Sequence, residues 1–185
     1  MEAFLVSTGI VALAEIGDKT QLLTLLLASR YRKPWAIVAG ILVATLANHA
    51  IAAALGAWAA RELGEQAMRW ILGASFIAMG AWMLVPDKLE GDAGASRRLG
   101  GVLLTTTILF FVIEIGDKTQ VATVALAARF EAVTMVVVGT TLGMLLANAP
   151  VAVFGEALSR RLPVRKVHAV AAIVFVALGI GVIVA

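Results

Sequence analysis

Apolar positions fall into six long runs along the chain, and polar residues collect between the runs with two exceptions. A membrane-spanning helix needs about 20 mostly apolar residues. The pattern therefore predicts six spanning helices, at about 3–29, 34–59, 68–86, 100–128, 132–157 and 167–185. Pro34 falls at the start of the second, where proline is tolerated, and Pro86 closes the third. The exceptions are two copies of the heptapeptide Glu-Ile-Gly-Asp-Lys-Thr-Gln, at 15–21 and 114–120, each in the middle of an apolar run.

The two copies lie 99 residues apart, and other pairs keep that separation: Arg30 and Arg129, Gly40 and Gly139, Gly56 and Gly155, Phe76 and Phe175, Gly80 and Gly179. The chain thus divides into a first repeat (1–86), a linker (87–99) and a second repeat (100–185). Three helices per half is an odd number, so the second half enters the bilayer from the opposite face. The expected fold is an all-α integral membrane protein of six transmembrane helices in two inverted three-helix repeats, with both motifs near the midplane. Loop charges orient it. One side carries Arg30, Arg32, Lys33, Lys88, Arg97, Arg98, Arg160, Arg161, Arg165 and Lys166; the other carries Arg61, Arg69 and Arg129. The richer side belongs in the cytoplasm, here of a prokaryotic inner membrane, and both termini then lie outside. Trp35, Trp58, Trp70 and Trp82 fall near predicted helix ends, as an interfacial aromatic belt requires.

Composition agrees. The chain is 61% hydrophobic with mean hydropathy +0.97, against about half apolar for a soluble domain. A pI near 9.7 would suit nucleic acid, but the basic residues sit in short loops between apolar runs, which excludes that partner in favour of lipid. There is no cysteine, hence no disulfide framework, thiol chemistry or cysteine metal site. The N-terminus lacks the basic region of a cleaved signal peptide, so the first run is expected to stay as a membrane helix.

Six charges at mid-membrane cost about 15–21 kcal/mol if each stands alone, at roughly 2.5–3.5 kcal/mol apiece. They must work or neutralise one another. On a helix, Glu15, Asp18 and Gln21 share one face, as do Glu114, Asp117 and Gln120. Glu15, Asp18, Glu114 and Asp117 are the candidate metal ligands, and Gln21 and Gln120 add amide carbonyls. Thr20 and Thr119 are further candidate ligands, although an ideal helix turns them away from the glutamates. Gly17 and Gly116 are candidate helix breaks that would free backbone carbonyls where they line a cavity. Oxygen ligands suit hard cations such as Ca²⁺, Mn²⁺ and Mg²⁺. Lys19 and Lys118 balance charge: four carboxylates less two lysines leave −2, which one divalent ion or two protons would cancel. A structural alternative pairs Glu15 with Lys19 and Glu114 with Lys118 as i,i+4 ion pairs; it leaves both aspartates without a role.

Helices two and five each carry polar groups at depth, Leu-Ala-Asn-His at 46–49 and Leu-Ala-Asn-Ala-Pro at 146–150. Asn48 aligns with Asn148 at a separation of 100, and His49 does so at 99. The asparagines are candidate supporting ligands or interhelical hydrogen-bonding groups, and His49 a candidate proton relay or packing residue. His168, beside a basic loop, is expected at the interface. Small residues of helices three and six, among them Gly73, Gly80, Gly179 and Gly181, favour close helix packing. The stretch Arg160 to Lys166 is expected to set topology and touch anionic lipid.

The paired Glu-x-Gly-Asp-Lys-Thr motifs, one per half, resemble the manganese/calcium cation-exchanger family, which includes MneA-like bacterial manganese exporters and Golgi and thylakoid calcium/manganese transporters. The resemblance covers essentially the whole chain. It implies export of Mn²⁺ or Ca²⁺ from the cytoplasm in exchange for protons, with Glu15, Asp18, Glu114 and Asp117 as the ion-handling acids, no cofactor and no enzymatic activity. Two alternatives stand beside it. An exporter of amino acids or other organic cations would want fewer acids and an aromatic pocket. An intramembrane metal-dependent enzyme would use paired acids for proton transfer or for metal-activated water.

Overall fold

The computed structural model describes residues 1–85, 100–155 and 163–184. The linker 87–99, the close of helix three at Pro86, and the basic residues Lys88, Arg97, Arg98, Arg160 and Arg161 lie outside the described residues. Within them the protein is all helical, with no strand: α1 Glu2–Glu15, α2 Lys19–Tyr31, α3 Pro34–Leu63, α4 Glu65–Trp82, α5 Val102–Glu114, α6 Lys118–Phe130, α7 Val133–Phe154 and α8 Val164–Val184. Three of these, α3, α7 and α8, are long and apolar enough to cross a membrane, and α5 is a shorter apolar helix.

The runs 3–29 and 100–128, expected as single helices, are each two. α1 stops at Glu15 and α2 starts at Lys19; α5 stops at Glu114 and α6 starts at Lys118. Gly17 (φ +83°) and Gly116 (φ +78°) take a left-handed backbone that ends a right-handed helix and that only glycine adopts without strain. The apolar pattern hides this, because the residues on either side of each break remain apolar.

The distribution of polarity is inverted relative to a soluble protein. Trp35, Trp58, Trp70 and Ile173 are exposed, while Glu15, Asp18, Gln21, Thr45, Asn48, His49, Glu114, Asp117, Lys118 and Asn148 are buried. An apolar exterior of this extent is stable against lipid rather than water.

α1 packs along α7, α3 lies against α5, α6 and α7, and α4 pairs with α8. Close contacts recur at a separation of 99. A Cβ on Gly40 would lie 2.9 Å from the Leu103 carbonyl and 2.6 Å from the Thr106 side chain; one on Gly139 would lie 2.6 Å from the Phe4 carbonyl and 3.0 Å from the Ser7 side chain. Between α4 and α8, Gly73 meets the Gly179 carbonyl and Gly80 meets the Ala172 carbonyl. Phe76 and Phe175 stack on each other, with ring centroids 6.3 Å apart.

Helix approach through glycine sets one test. A Cβ at position 56 would sit 2.1 Å from the Val124 carbonyl, whereas Gly9, on the exposed side of α1, meets nothing within 4 Å among the described residues. Gly56→Ala is expected to destabilise the protein by about 1–3 kcal/mol, the usual range for overpacking, and Gly9→Ala to leave the midpoint within error. Thermal unfolding in detergent of the two variants checks this.

Candidate metal centre

The breaks bring both motifs together. Each glutamate ends a helix, so its carboxylate sits at the C-terminal end of α1 or α5, where backbone carbonyls favour cations. Each aspartate is the N-cap of the next helix, with extended backbone (Asp18 ψ 168°, Asp117 ψ 166°), yet neither side chain caps its own helix. Both are turned toward the other half. Lys19 Nζ lies 3.3 Å from Asp117 Oδ1, and Lys118 Nζ lies 3.7 Å from Asp18 Oδ1.

The i,i+4 pairs Glu15–Lys19 and Glu114–Lys118 are therefore not formed. The break removes the continuous turn that would align them, and the lysines cross to the opposite aspartates. The same break corrects the orientation expected of the threonines. Thr20 Oγ1 donates to Glu15 Oε2, and Thr119 Oγ1 donates to Glu114 Oε2 at 2.9 Å.

The glutamines hold the breaks. Gln21 Oε1 accepts from the Gly17 N–H at 3.0 Å, and Gln120 Oε1 from the Gly116 N–H at 2.6 Å. Their amide nitrogens reach the neighbouring long helix: Gln21 Nε2 donates to the Ala147 carbonyl at 3.0 Å, and Gln120 Nε2 to Asn48 Oδ1 at 2.6 Å. The acceptors differ, a backbone carbonyl in one half and a side-chain amide in the other, but Gly40 and Gly139 make matching contacts 99 residues apart and α3 and α7 run on unbroken from them, which pairs Asn48 with Ala147 and His49 with Asn148. Asn148 Oδ1 accepts from Thr24 at 2.8 Å, and its Nδ2 lies 3.5 Å from Glu15 Oε2 and 3.2 Å from the Met144 carbonyl.

Glu15, Glu114 and Asp117 form a buried group in which one ligand oxygen from each lies within 4.8 Å of the others. Asp18 stands outside this group, against Lys118. Glu15 Oε1, Glu114 Oε1 and Asp117 Oδ2 are buried without a hydrogen-bond partner among the described residues. Two carboxylates charged at that distance repel by about 3 kcal/mol at an effective dielectric near 20, so the group is stable only with added positive charge. Three clustered carboxylates, each with one oxygen that has nothing to accept from among the described residues, are suited to a hard divalent ion or to protons.

The two breaks differ in cover. The Val164 side chain sits over Gly17, 2.2 Å from where a Cβ would be, and His168 Nε2 lies 2.7 Å from the Ile16 carbonyl. His168 is thus buried against the motif, not an interfacial residue. Sequence distance concealed this, since the contact spans 152 residues. Gly116 meets nothing within 4 Å among the described residues, and Ile115 is 59% exposed. Glu65 and Arg69, the counterparts of Val164 and His168, instead border a groove of about 460 Å³ beside Arg129 and Glu131, at the far end of α6.

Comparison with known proteins agrees with this geometry. The family described as divalent cation/proton antiporter GDT1 matches residues 3–91 and 102–185, one segment in each half. The chain belongs to this family. GDT1 proteins are cation transporters rather than enzymes. A Vibrio cholerae protein named "Putative manganese exporter" is 53% identical over 173 residues, covering 91% of this chain and 86% of its own length. The GDT1-like protein 3 of Oryza sativa subsp. indica is 26% identical over 199 residues, covering 94% of this chain and 71% of its own. That of Arabidopsis thaliana is 26% identical over 200 residues, covering 94% and 68%. No solved structure matches.

The crosswise pairs make a stability test for this GDT1 protein. Lys118 is 3% exposed and Lys19 is 24% exposed. Lys118→Ala, which removes a buried partner of Asp18, is expected to cost about 3–5 kcal/mol, and Lys19→Ala clearly less. Joining Asp18→Asn to Lys118→Met should recover much of the loss. Thermal midpoints of the four proteins decide it; equal losses for both lysines would refute the assignment of burial to the second pair.

Proposed function

We propose that the chain is a secondary transporter that exports a divalent cation, Mn²⁺ and/or Ca²⁺, from the cytoplasm in exchange for protons. The observation that carries this is the buried group Glu15, Glu114 and Asp117, with one oxygen of each lacking a partner. Asp18 completes the four acids, and Lys19 and Lys118 offset two of them. The −2 remainder takes up one divalent ion or two protons, so that binding of one excludes the other and exchange is electroneutral. Family membership and the name of the Vibrio relative support the same reading.

The contacts that recur at a separation of 99 support two inverted three-helix repeats, in which α1–α2 and α5–α6 are broken spans and α3, α4, α7 and α8 complete six. Unequal cover at the breaks is then the mark of one state of an alternating cycle. The α4–α8 pair keeps its own symmetric contacts, yet the start of α8 reaches the first break while the start of α4 stays at the end of α6. With the basic loops inside, the pair is displaced outward and the site faces the cytoplasm. In the opposite state the pair shifts inward, and Glu65 and Arg69 cover Ile115 and Gly116.

Two experiments test this. In proteoliposomes with an imposed pH gradient, Mn²⁺ or Ca²⁺ flux should run against proton flux. Asp18→Asn, Asp117→Asn and Glu114→Gln should each lower it by about 100-fold, the scale of losing a ligand or its support. Wild-type flux in all three would remove these acids from the mechanism. For the motion, the chain has no native cysteine. A Cβ on Gly17 would be 3.1 Å from Val164 Cβ, close to disulfide range. Gly17→Cys with Val164→Cys should crosslink in one state, and Gly116→Cys with Glu65→Cys in the other, each stopping flux until reduced. Active transport with no crosslink at the second pair would overturn the shift.

A further inference from the structure

His49 is fully buried on α3, and neither ring nitrogen has a hydrogen-bond partner among the described residues. Thr45, one turn earlier on the same helix, also has a buried hydroxyl without a partner. A polar ring left unsatisfied at such depth is unusual and calls for a ligand or a function.

The contacts that recur at a separation of 99 show the counterpart of His49. The matching contacts of Gly40 and Gly139, continued along unbroken α3 and α7, align Asn48 with Ala147, and so His49 with Asn148. Asn148 is the residue whose amide approaches Glu15, at 3.5 Å. In the first half of the site, then, an amide attends the glutamate. In the second half the corresponding position of α3 holds an imidazole, α3 packs against α5, which ends in Glu114, and Glu114 Oε1 is itself without a partner among the described residues. An amide nitrogen only donates a hydrogen bond. An imidazole nitrogen can give its lone pair to a metal.

We propose that His49 is a nitrogen ligand to the transported ion on its Glu114 side and biases the transporter toward Mn²⁺ over Ca²⁺. This rests on the divalent-cation reading above. His49 lies outside the group of three acids in the state described, and it joins the ion when Glu114 and its bare break rearrange. The chemistry gives the direction. Calcium takes oxygen ligands almost alone, whereas first-row transition ions accept imidazole, and selectivity among them follows ligand type. A site of carboxylates only would treat the two ions alike; one nitrogen separates them.

The test uses the full-length protein in proteoliposomes, with Mn²⁺ and Ca²⁺ flux measured on the same preparations of wild type, His49→Asn and His49→Gln. His49→Asn places in α3 the residue that α7 already carries, so it is the gentler change. The Mn²⁺ to Ca²⁺ flux ratio is expected to fall about tenfold in both variants, the lower end for a metal-site partner, with Ca²⁺ flux largely kept. In parallel, pulsed electron paramagnetic resonance of bound Mn²⁺ should show coupling to a directly bound nitrogen in wild type and none in His49→Gln. An unchanged ratio in both variants, or nitrogen coupling that persists in His49→Gln, overturns the proposal while leaving divalent transport standing. Wild-type protein that moves neither ion overturns the transport reading itself.

Discussion

Everything in this molecule depends on how six charges are held inside an apolar bundle. Neutralisation within each helix would have been the simple solution, with every glutamate matched to the lysine four residues on. The protein does otherwise. Each lysine reaches the aspartate of the other half, Lys19 to Asp117 and Lys118 to Asp18. Neither half can then be electrically complete alone. The cost of burying a charge, several kcal/mol per ion even after relaxation, becomes the force that requires the two halves to assemble.

Crosswise pairing also decides what is left over. With the lysines given to the aspartates, the glutamates have neutral donors on one oxygen each, Thr20 and the Asn148 amide for Glu15 and Thr119 for Glu114. Their other oxygens are buried without a partner among the described residues, in the group the glutamates form with Asp117. Had the helices run on unbroken, the glutamates would have been satisfied and the aspartates stranded. The two glycines therefore do more than bend a helix: they choose which carboxylates remain available. All seven motif positions except the isoleucine have a visible part in this, the glutamine by bonding the exposed N–H of the glycine it follows.

Much of this was legible in the sequence. The doubled heptapeptide marked the residues that the fold gathers into one buried group, because charges in apolar runs are too costly to be incidental, and its spacing of 99 residues recurs in the helix contacts. Family resemblance on the same residues agreed with the family found by comparison. What the sequence hid has a common cause. Helix periodicity assumes a continuous helix, and glycine is compatible with both a helix and its interruption. So the i,i+4 pairs of Glu15 with Lys19 and Glu114 with Lys118 looked available, and Thr20 and Thr119 looked misdirected. The choice between Asn48 and His49 as the mate of Asn148 could not be made from residue identities, since asparagine occurs in both helices; the matching contacts of Gly40 and Gly139 favour His49. His168 was obscured by distance along the chain, and nothing in its local pattern marks it as a partner of Ile16.

Departures from symmetry carry as much meaning as the symmetry. A strictly two-fold arrangement would present the same face to both sides of the membrane and could not distinguish them. Here the symmetric contacts are confined to two bodies, the α4–α8 pair with Phe76 on Phe175 and the bundle that holds the motifs, with Gly40 and Gly139 in matching contacts. Asymmetry lies between the bodies, at the ends of α4 and α8. Interfaces of packed helices have a few discrete fits rather than a continuum, so the proposed cycle needs a second fit between these bodies, one in which Arg69 takes the place of His168 and Glu65 that of Val164. At those two positions the halves differ in chemistry, Glu65 and Arg69 against Val164 and His168, so the two ends of the α4–α8 pair are not interchangeable in charge.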